Sequence, residues 1–261
     1  AIIIVMSVMN GFREELTNRL LGINGHINVF SENQEISKNE IDFLNHKQND
    51  YTLIPSTETQ ALIISNNFSK GIILRGYDND LLDDKNFLNN KILKGRIFQN
   101  NLNDVVIGYV LANQLGLTID DKIKIAIPKT DKTIFGNIPR FKTLNIVGIF
   151  NIGMYEYDAN FIFTHTNIAN KLLLLGDDNF NQIEIFINDP NQVEVIQDKI
   201  NKIINSEKLN LYTSSWKQNN SALINALKVE KNVMFLILTL IILVASMNII
   251  SGLIIFVKEK N

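Results

Sequence analysis

The hydrophobic pattern along the chain changes period several times, and each change marks a different kind of element. Residues 233–257 carry no charge and are dominated by Leu, Ile, Val, Phe and Met. A run of that length can cross the ~30 Å hydrocarbon core of a bilayer as a single helix. It is apolar on every face, whereas a helix on the surface of a water-soluble domain keeps one polar side. Lys258, Glu259 and Lys260 close it. Residues 1–9 are also apolar apart from Ser7, at about half the spanning length. They lack the basic flank and small-residue cleavage site of a signal peptide and read as the tail of a first membrane helix.

From Ser7 the pattern becomes amphipathic. Phe12, Leu16, Leu20 and Ile23 recur at near-helical spacing between Arg13, Glu14, Glu15 and Arg19, so this helix is expected to continue into water and stop at Gly22 and Gly25. Period-two alternation then predicts strands over 26–31, 61–65, 71–76, 104–107, 122–127, 144–150, 159–163, 182–187 and 209–212. Helical spacing predicts helices over 38–47, 109–115, 166–175 and 193–204, and a weak one near 80–88. Pro128 and Pro139 bound an expected loop. Thr213 or Ser214 is the expected cap of one long helix that starts near Trp216 and runs into the apolar span.

The predicted architecture is therefore α+β, bracketed by two membrane helices. Residues 1–25 form the end of the first span and its extension, 26–215 the α+β domain, 216–257 a stalk and second span (233–257), and 258–261 a cytoplasmic tail. The chain is expected to be an internal segment of a longer membrane protein. Within the second span, Ser246, Asn248 and Ser251 serve either helix–helix packing or the lining of a substrate path.

Composition narrows the function. The 261 residues carry a formal charge of −2, which gives no electrostatic case for nucleic-acid binding. There is no cysteine, so no disulfide supports the fold. Asn makes up about one residue in seven, a compositional bias and not a prion-like tract, because Ile and Leu periodicity runs through the same segments. His26, His46 and His165 stand far apart without acidic partners at metal-ligand spacing, and no metal or other cofactor is expected. The Asp83-Asp84, Asp120-Asp121 and Asp177-Asp178 pairs fall in predicted turns. No Gly-x-Ser-x-Gly elbow and no phosphate-binding P-loop occurs, so the chain is not expected to be an enzyme, and energised transport would need a separate ATPase.

Four stretches carry a resemblance: Met6 to Leu16 (MSVMNGFREEL), Val106-Ile107-Gly108 on to Gln114-Leu115-Gly116-Leu117, Phe135 to Pro139 (FGNIP), and Val229 to Met234 (VEKNVM) on to Asn248-Ile249-Ile250-Ser251. Together they resemble the LolC/LolE family, the transmembrane permease subunits of the lipoprotein-releasing ABC transporter, within the wider FtsX-like and MacB-like permeases. The resemblance implies four spans per subunit and a MacB-like periplasmic domain between the first two, in the inner membrane. It implies a cytoplasmic LolD-like ATPase, a second permease subunit (LolE-like or another copy), lipoprotein substrates and the periplasmic chaperone LolA as partners. In members of the LolC type a proline-bounded loop acts as a hook for LolA. The matching loop here would offer Pro128, Ile134, Phe135, Gly136, Ile138 and Pro139, flanked by Lys124 and Lys142. Lys124 and Phe141-Lys142 stand where an Arg and a Gln-Arg pair are expected, so basic character is kept without the guanidinium fork.

The leading expectation is thus a permease that passes outer-membrane lipoproteins to LolA. A MacB-like efflux permease or an FtsX-like mechanotransmission subunit is the alternative. A receptor with a periplasmic sensor domain between two helices is a reading from a different class.

Overall fold

The computed structural model describes residues 2–21, 23–45, 50–65, 68–78, 88–99, 103–133, 136–176 and 178–259. In chain order these form α1 (Ile2–Leu21), β1 (Ile27–Ser31), β2 (Ile36–Ser37), α2 (Lys38–Asn45), β3 (Tyr51–Ser65) and β4 (Phe68–Tyr77). Then come β5 (Ile92–Gly95), β6 (Asp104–Gly108), α3 (Tyr109–Leu115), β7 (Lys122–Thr133), β8 (Gly136–Phe150), α4 (Tyr155–Asn160), β9 (Phe161–His165) and α5 (Thr166–Leu173). The chain continues through β10 (Asn179–Phe180), β11 (Gln182–Ile187), α6 (Val193–Ser206), β12 (Leu211–Ser215), α7 (Trp216–Asn219) and α8 (Ser221–Glu259). It divides into two compact units, Ala1–Asn18 with Lys217–Asn261, and Arg19–Trp216.

Within the larger unit six strands pair into a closed ring. β3 pairs with β4, β4 with β9, β9 with β6, β6 with β8, β8 with β7, and β7 returns to β3. Alternate side chains of all six point to one interior, where Ile63, Leu74, Ile107, Ile125, Ile146 and Ile162 are buried together. Leu111 of α3 and Ile168 and Leu172 of α5 complete that core.

A second sheet grows out of the ring through β3. Its residues 57–65 belong to the ring, while 51–56 pair with β11, which pairs in turn with β1 and then β12. A second apolar cluster, including Ile54, Tyr77, Phe98, Phe150 and Phe163, packs against the ring's outer wall. Helix α6 buries Val193, Ile196, Ile200 and Ile204 at i, i+3, i+7 and i+11, the single apolar stripe its sequence prescribes.

Several elements differ from their sequence expectation. The strand expected over 61–65 is the end of the fifteen-residue β3, because pairing with β11 recruits the Pro- and Thr-containing stretch before it. The strand expected over 159–163 starts at Phe161, after the short α4. The last strand lies at 211–215, so Thr213 and Ser214 are strand residues and not a helix cap. Thr213 Oγ1 instead accepts from Gln197 Nε2 (3.0 Å) and donates to Asn201 Oδ1 (2.8 Å) on α6. The single helix expected from Trp216 is two, α7 and α8, separated at Asn220. The weak helix near 80–88 and the Gly22 stop lie outside the described residues.

In the smaller unit α8 is one helix of 39 residues, apolar enough to cross a membrane, with none of its most apolar window buried. The hydroxyls of Ser246 and Ser251 donate to the carbonyls of Ile242 (2.8 Å) and Met247 (2.9 Å), four residues back. Their polarity is thus satisfied within the helix, which suits close helix packing.

Candidate functional site

The segment expected as a proline-bounded loop is mostly a β-hairpin. β7 and β8 pair without interruption from Lys122↔Asn145 to Ile127↔Arg140, and pairing resumes from Thr130↔Pro139 to Thr133↔Gly136. Across the break β7 advances three residues while β8 advances one, so Pro128 and Lys129 form a bulge. Pro128 cannot donate to the ladder, and a bulge is where a strand tolerates that. β-Branched Thr130 and Thr133 carry the strand beyond it, which the prolines concealed. Gly136 pairs with Thr133 and Ile138 with Asp131, close to the turn, while Ile134 and Phe135 lie outside the described residues. Pro128 and Pro139 are exposed.

The two flanking lysines do not form one basic patch. Lys124 is exposed on the outer wall, its ammonium 4.3 Å from the centroid of Phe141. Lys142 pairs with the buried Ile125, one register position on, and so points to the opposite face, toward α5. There burial and the neighbouring Lys171 ammonium lower the Lys142 pKa from its usual value. Arg140, on the same side as Lys142, donates from Nη1 to the Leu172 carbonyl (2.9 Å) in the last turn of α5. The hairpin root therefore shows an aromatic–cation pair on one face and a crowded basic face on the other.

A buried ionic network, not anticipated from the sequence, lies where β3 passes from ring to second sheet. Arg75 and Glu58 are direct cross-strand partners, with Nε at 2.6 Å and Nη2 at 2.5 Å from Glu58 Oε2. The guanidinium also stacks 5.1 Å from the Phe161 ring and lies 3.5 Å from Glu184 Oε1. Burial opposes the Arg75 charge, but Glu184, Tyr77 and Glu58 outweigh it and hold its pKa well above the usual value. Glu184 is completely buried and accepts from Tyr77 Oη (2.7 Å), Ser56 Oγ (3.1 Å) and Gly25 N (3.1 Å). Burial, then the Glu184 carboxylate, pushes the Tyr77 hydroxyl well up. One guanidinium serves both carboxylates, and neutral donors complete the Glu184 side, the arrangement of a staple and not of a reacting centre. Among the described residues no three His, Asp or Glu side chains gather as a metal would need.

The strands joining the larger unit to its flanking helices lie side by side. β1 pairs with β12 from Ile27↔Ser215 to Ser31↔Leu211. His26 closes that end: its carbonyl accepts from Trp216 N (2.9 Å), its N–H donates to Ile185 O (2.8 Å) and its Nδ1 accepts from Ile187 N (2.9 Å). In the smaller unit, Met6, Met9, Asn10 and Arg13 of α1 face Glu230, Asn232 and Phe235 of α8 across a crevice of about 210 Å³. Two of the stretches carrying the family resemblance thus meet there.

The larger unit is thus a closed ring of antiparallel and parallel strands with a long hairpin, in a chain that also carries a helix apolar enough to cross a membrane. The chain belongs to the MacB-like periplasmic core domain family, whose model matches residues 1–203. Among individual relatives it is similar to the lipoprotein-releasing system transmembrane protein LolC of Neisseria meningitidis serogroup B. Identity is 28% over 270 residues, covering all of this chain and 63% of that protein. LolC of Xylella fastidiosa strain 9a5c is 24% identical over 264 residues (100% and 62% covered), and LolC of Haemophilus influenzae 28% over 270 (100% and 64%). The chain thus spans less than two thirds of the length of these relatives.

Two solved structures share the fold. The extracellular domain of the noncanonic ABC-type transporter YknZ from Gram-positive bacteria superposes with a TM-score of 0.50 at 11% identity, over 72% of this chain and 99% of that one. The periplasmic region of MacB from Actinobacillus actinomycetemcomitans gives 0.50 at 14% identity, over 80% and 96%.

Proposed function

We propose that this chain is part of an inner-membrane permease subunit of an ABC transporter that extracts outer-membrane lipoproteins and passes them to a LolA-like periplasmic chaperone. The observation that carries this reading is similarity to LolC proteins along the whole chain, joined to a long β7–β8 hairpin in a MacB-like domain. A lipoprotein's acyl chains are held in the bilayer by about 0.8 kcal/mol per buried CH₂, so release of several chains needs both ATP and an apolar acceptor. In this reading a separate cytoplasmic ATPase supplies the energy, a second permease subunit completes the membrane path, and the larger unit stands in the periplasm.

The hairpin tip is the chaperone hook. Ile134, Phe135 and Ile138 supply apolar anchors, Gly136 allows the turn, and Pro128 and Pro139 restrict the chain so that less entropy is lost on docking. Lys124 and Lys142 flank it on its two faces. Site-specific photocrosslinking from Phe135 in native membranes is expected to capture the chaperone. Phe135→Asp and Ile138→Asp are each expected to abolish lipoprotein transfer, and Ile138→Asp also the capture from position 135. Intact transfer in both variants would rule out the hook. The fold likeness to MacB also suits an efflux permease, and for that function an outer-membrane channel component would be captured in place of the chaperone.

A further inference from the structure

The ring's outer wall carries an apolar groove beside the hairpin root. Its centre is a row of side chains across four neighbouring strands: Phe141 pairs with Ala126, Ala126 with Leu62, and Leu62 with Gly71. Directly opposed residues point to the same face, so this row alternates large, small, large and absent. Leu62 and Phe141 are 40% and 46% exposed and stand as ridges, with Ala126 buried between them. Above Gly71 the space is open, since a Cβ there would meet nothing within 4 Å. Leu62, Gly71 and Ala126, with Ile73, Pro128 and Pro139, line a cavity of about 620 Å³, and Phe141 bounds the row beyond Ala126.

The chemistry of the lining selects the occupant. Among the described lining residues none is ionisable, and Gln60 and Asn160 supply the only polar side chains, both neutral amides. At Leu62 the floor offers a peptide no backbone partners, because β3 is already paired there on both edges, to β4 and to β7. A polypeptide lying there would bury its own N–H and C=O groups unsatisfied, at substantial cost. A saturated hydrocarbon chain has none to satisfy, and a volume of this size falls within the ~300–1,000 Å³ of small-molecule sites. A neutral ester or amide at the head of such a chain suits Gln60 and Asn160.

We propose that this groove binds one acyl chain of the lipoprotein cargo, on the wall of the domain next to the hook. The assignment rests on the lipoprotein-transfer reading and adds a cargo contact outside the membrane unit. It makes Gly71 a specificity position: a side chain there fills the groove without disturbing the protein's own packing.

The test uses the full-length protein in its transporter complex, reconstituted in proteoliposomes with a lipoprotein carrying a photoactivatable diazirine near its acyl terminus. Irradiation during ATP-driven release is expected to label residues 60–73 and 126–128. Gly71→Trp, a substitution suited to a strand, blocks the groove. Each methylene denied burial weakens binding roughly fourfold, so losing two or three reduces labelling by at least about tenfold. Chaperone capture from Phe135 stays unchanged in that variant, and Lys202→Trp on α6 controls for added bulk. Leu62→Glu gives the same loss by an independent route and guards against a folding defect in the first variant.

Release by the wild type with no label on these strands overturns the groove and leaves the transfer reading standing. So does unchanged labelling in both variants, or capture of a protein from a crosslinker at Leu62 in the absence of lipid. If the wild type releases no lipoprotein, the transfer reading falls. Diazirine-bearing palmitate in the same vesicles then decides the groove alone, by labelling it or leaving it unmarked.

Discussion

The side chain of Glu184 accepts a hydrogen bond from the backbone N–H of Gly25, and the two residues are packed so closely that a Cβ on Gly25 would lie 2.8 Å from that of Glu184. A carboxylate in the middle of the second sheet thereby holds the segment that follows α1. Glu184→Ala leaves Arg75 without one buried partner and orphans three donors. The expected destabilisation is about 3–5 kcal/mol, read from denaturant unfolding of the purified protein. Glu184→Gln keeps the shape and is expected to lose less. Equal losses in the two would mean that packing, not charge, is the main contribution.

His26 predicts a separable effect. Its imidazole satisfies the Ile187 N–H, and its backbone closes the β1–β12 pair through Trp216. His26→Ala removes only the first, leaving a buried donor unmatched at a cost of about 1–3 kcal/mol. His26→Asn, which retains an acceptor, is expected to recover part of the loss in thermal melts. Faster amide exchange at Ile187 than at Trp216 in the alanine variant would locate the defect.

Acid should weaken the fold partly through Asp78. His165 Nε2 lies 3.0 Å from Asp78 Oδ1, while His165 Nδ1 accepts from Asn167 N at the start of α5. The hydrogen bond from His165 is the main cause that holds the Asp78 pKa below its ordinary 3.8. A folded-state pKa below the unfolded one contributes stability that is complete above the unfolded value and is lost as pH falls through the folded one. Asp78→Asn should therefore lower the melting temperature at neutral pH and converge with the wild type as the pH falls below 3.8 and through the lowered Asp78 pKa. A constant difference across that range would exclude the titration.

The crowded basic face of the hairpin root is open to chemical measurement. Because burial and Lys171 both depress the Lys142 pKa, Lys142 is expected to acylate faster than the exposed Lys124 at mildly alkaline pH. Lys171→Ala should slow it by removing the second cause and leave Lys124 unaffected. Peptide mapping after brief treatment with an amine-reactive ester reads both rates.

Much of the architecture was legible because it rests on local pattern. The strict alternation of 122–127 and the apolar stripe of α6 each describe their own environment, whereas 182–187 alternates although both of its faces are buried. The closed ring was not legible, since closure depends on β7 returning to β3 across about sixty intervening residues. The segment between the two prolines reads as a loop in the sequence but is mostly strand, because Pro128 signals a bulge only when its partner strand is known. The buried network left a faint trace: Arg75 inside GIILRG and Glu184 inside QIEIFI are charges in otherwise apolar strands. Charges at such positions are costly unless they meet, and only the strand order brings them together. The groove left none, as Leu62 and Gly71 read as ordinary strand residues until their row across four strands is assembled.

The placement of β1 beside β12 has a mechanical consequence. Because Ile27 opposes Ser215, the chains leading to the two flanking helices leave from the same end of one two-stranded ribbon. A pull that draws both chains in the same direction loads the β1–β11 ladder in shear, so its hydrogen bonds resist together. A pull that parts them loads the ribbon as a zipper, one pair at a time, starting at the His26–Trp216 bond. Forces shared by the two chains are thus borne by several hydrogen bonds at once, while forces that part them are met first by the His26–Trp216 bond.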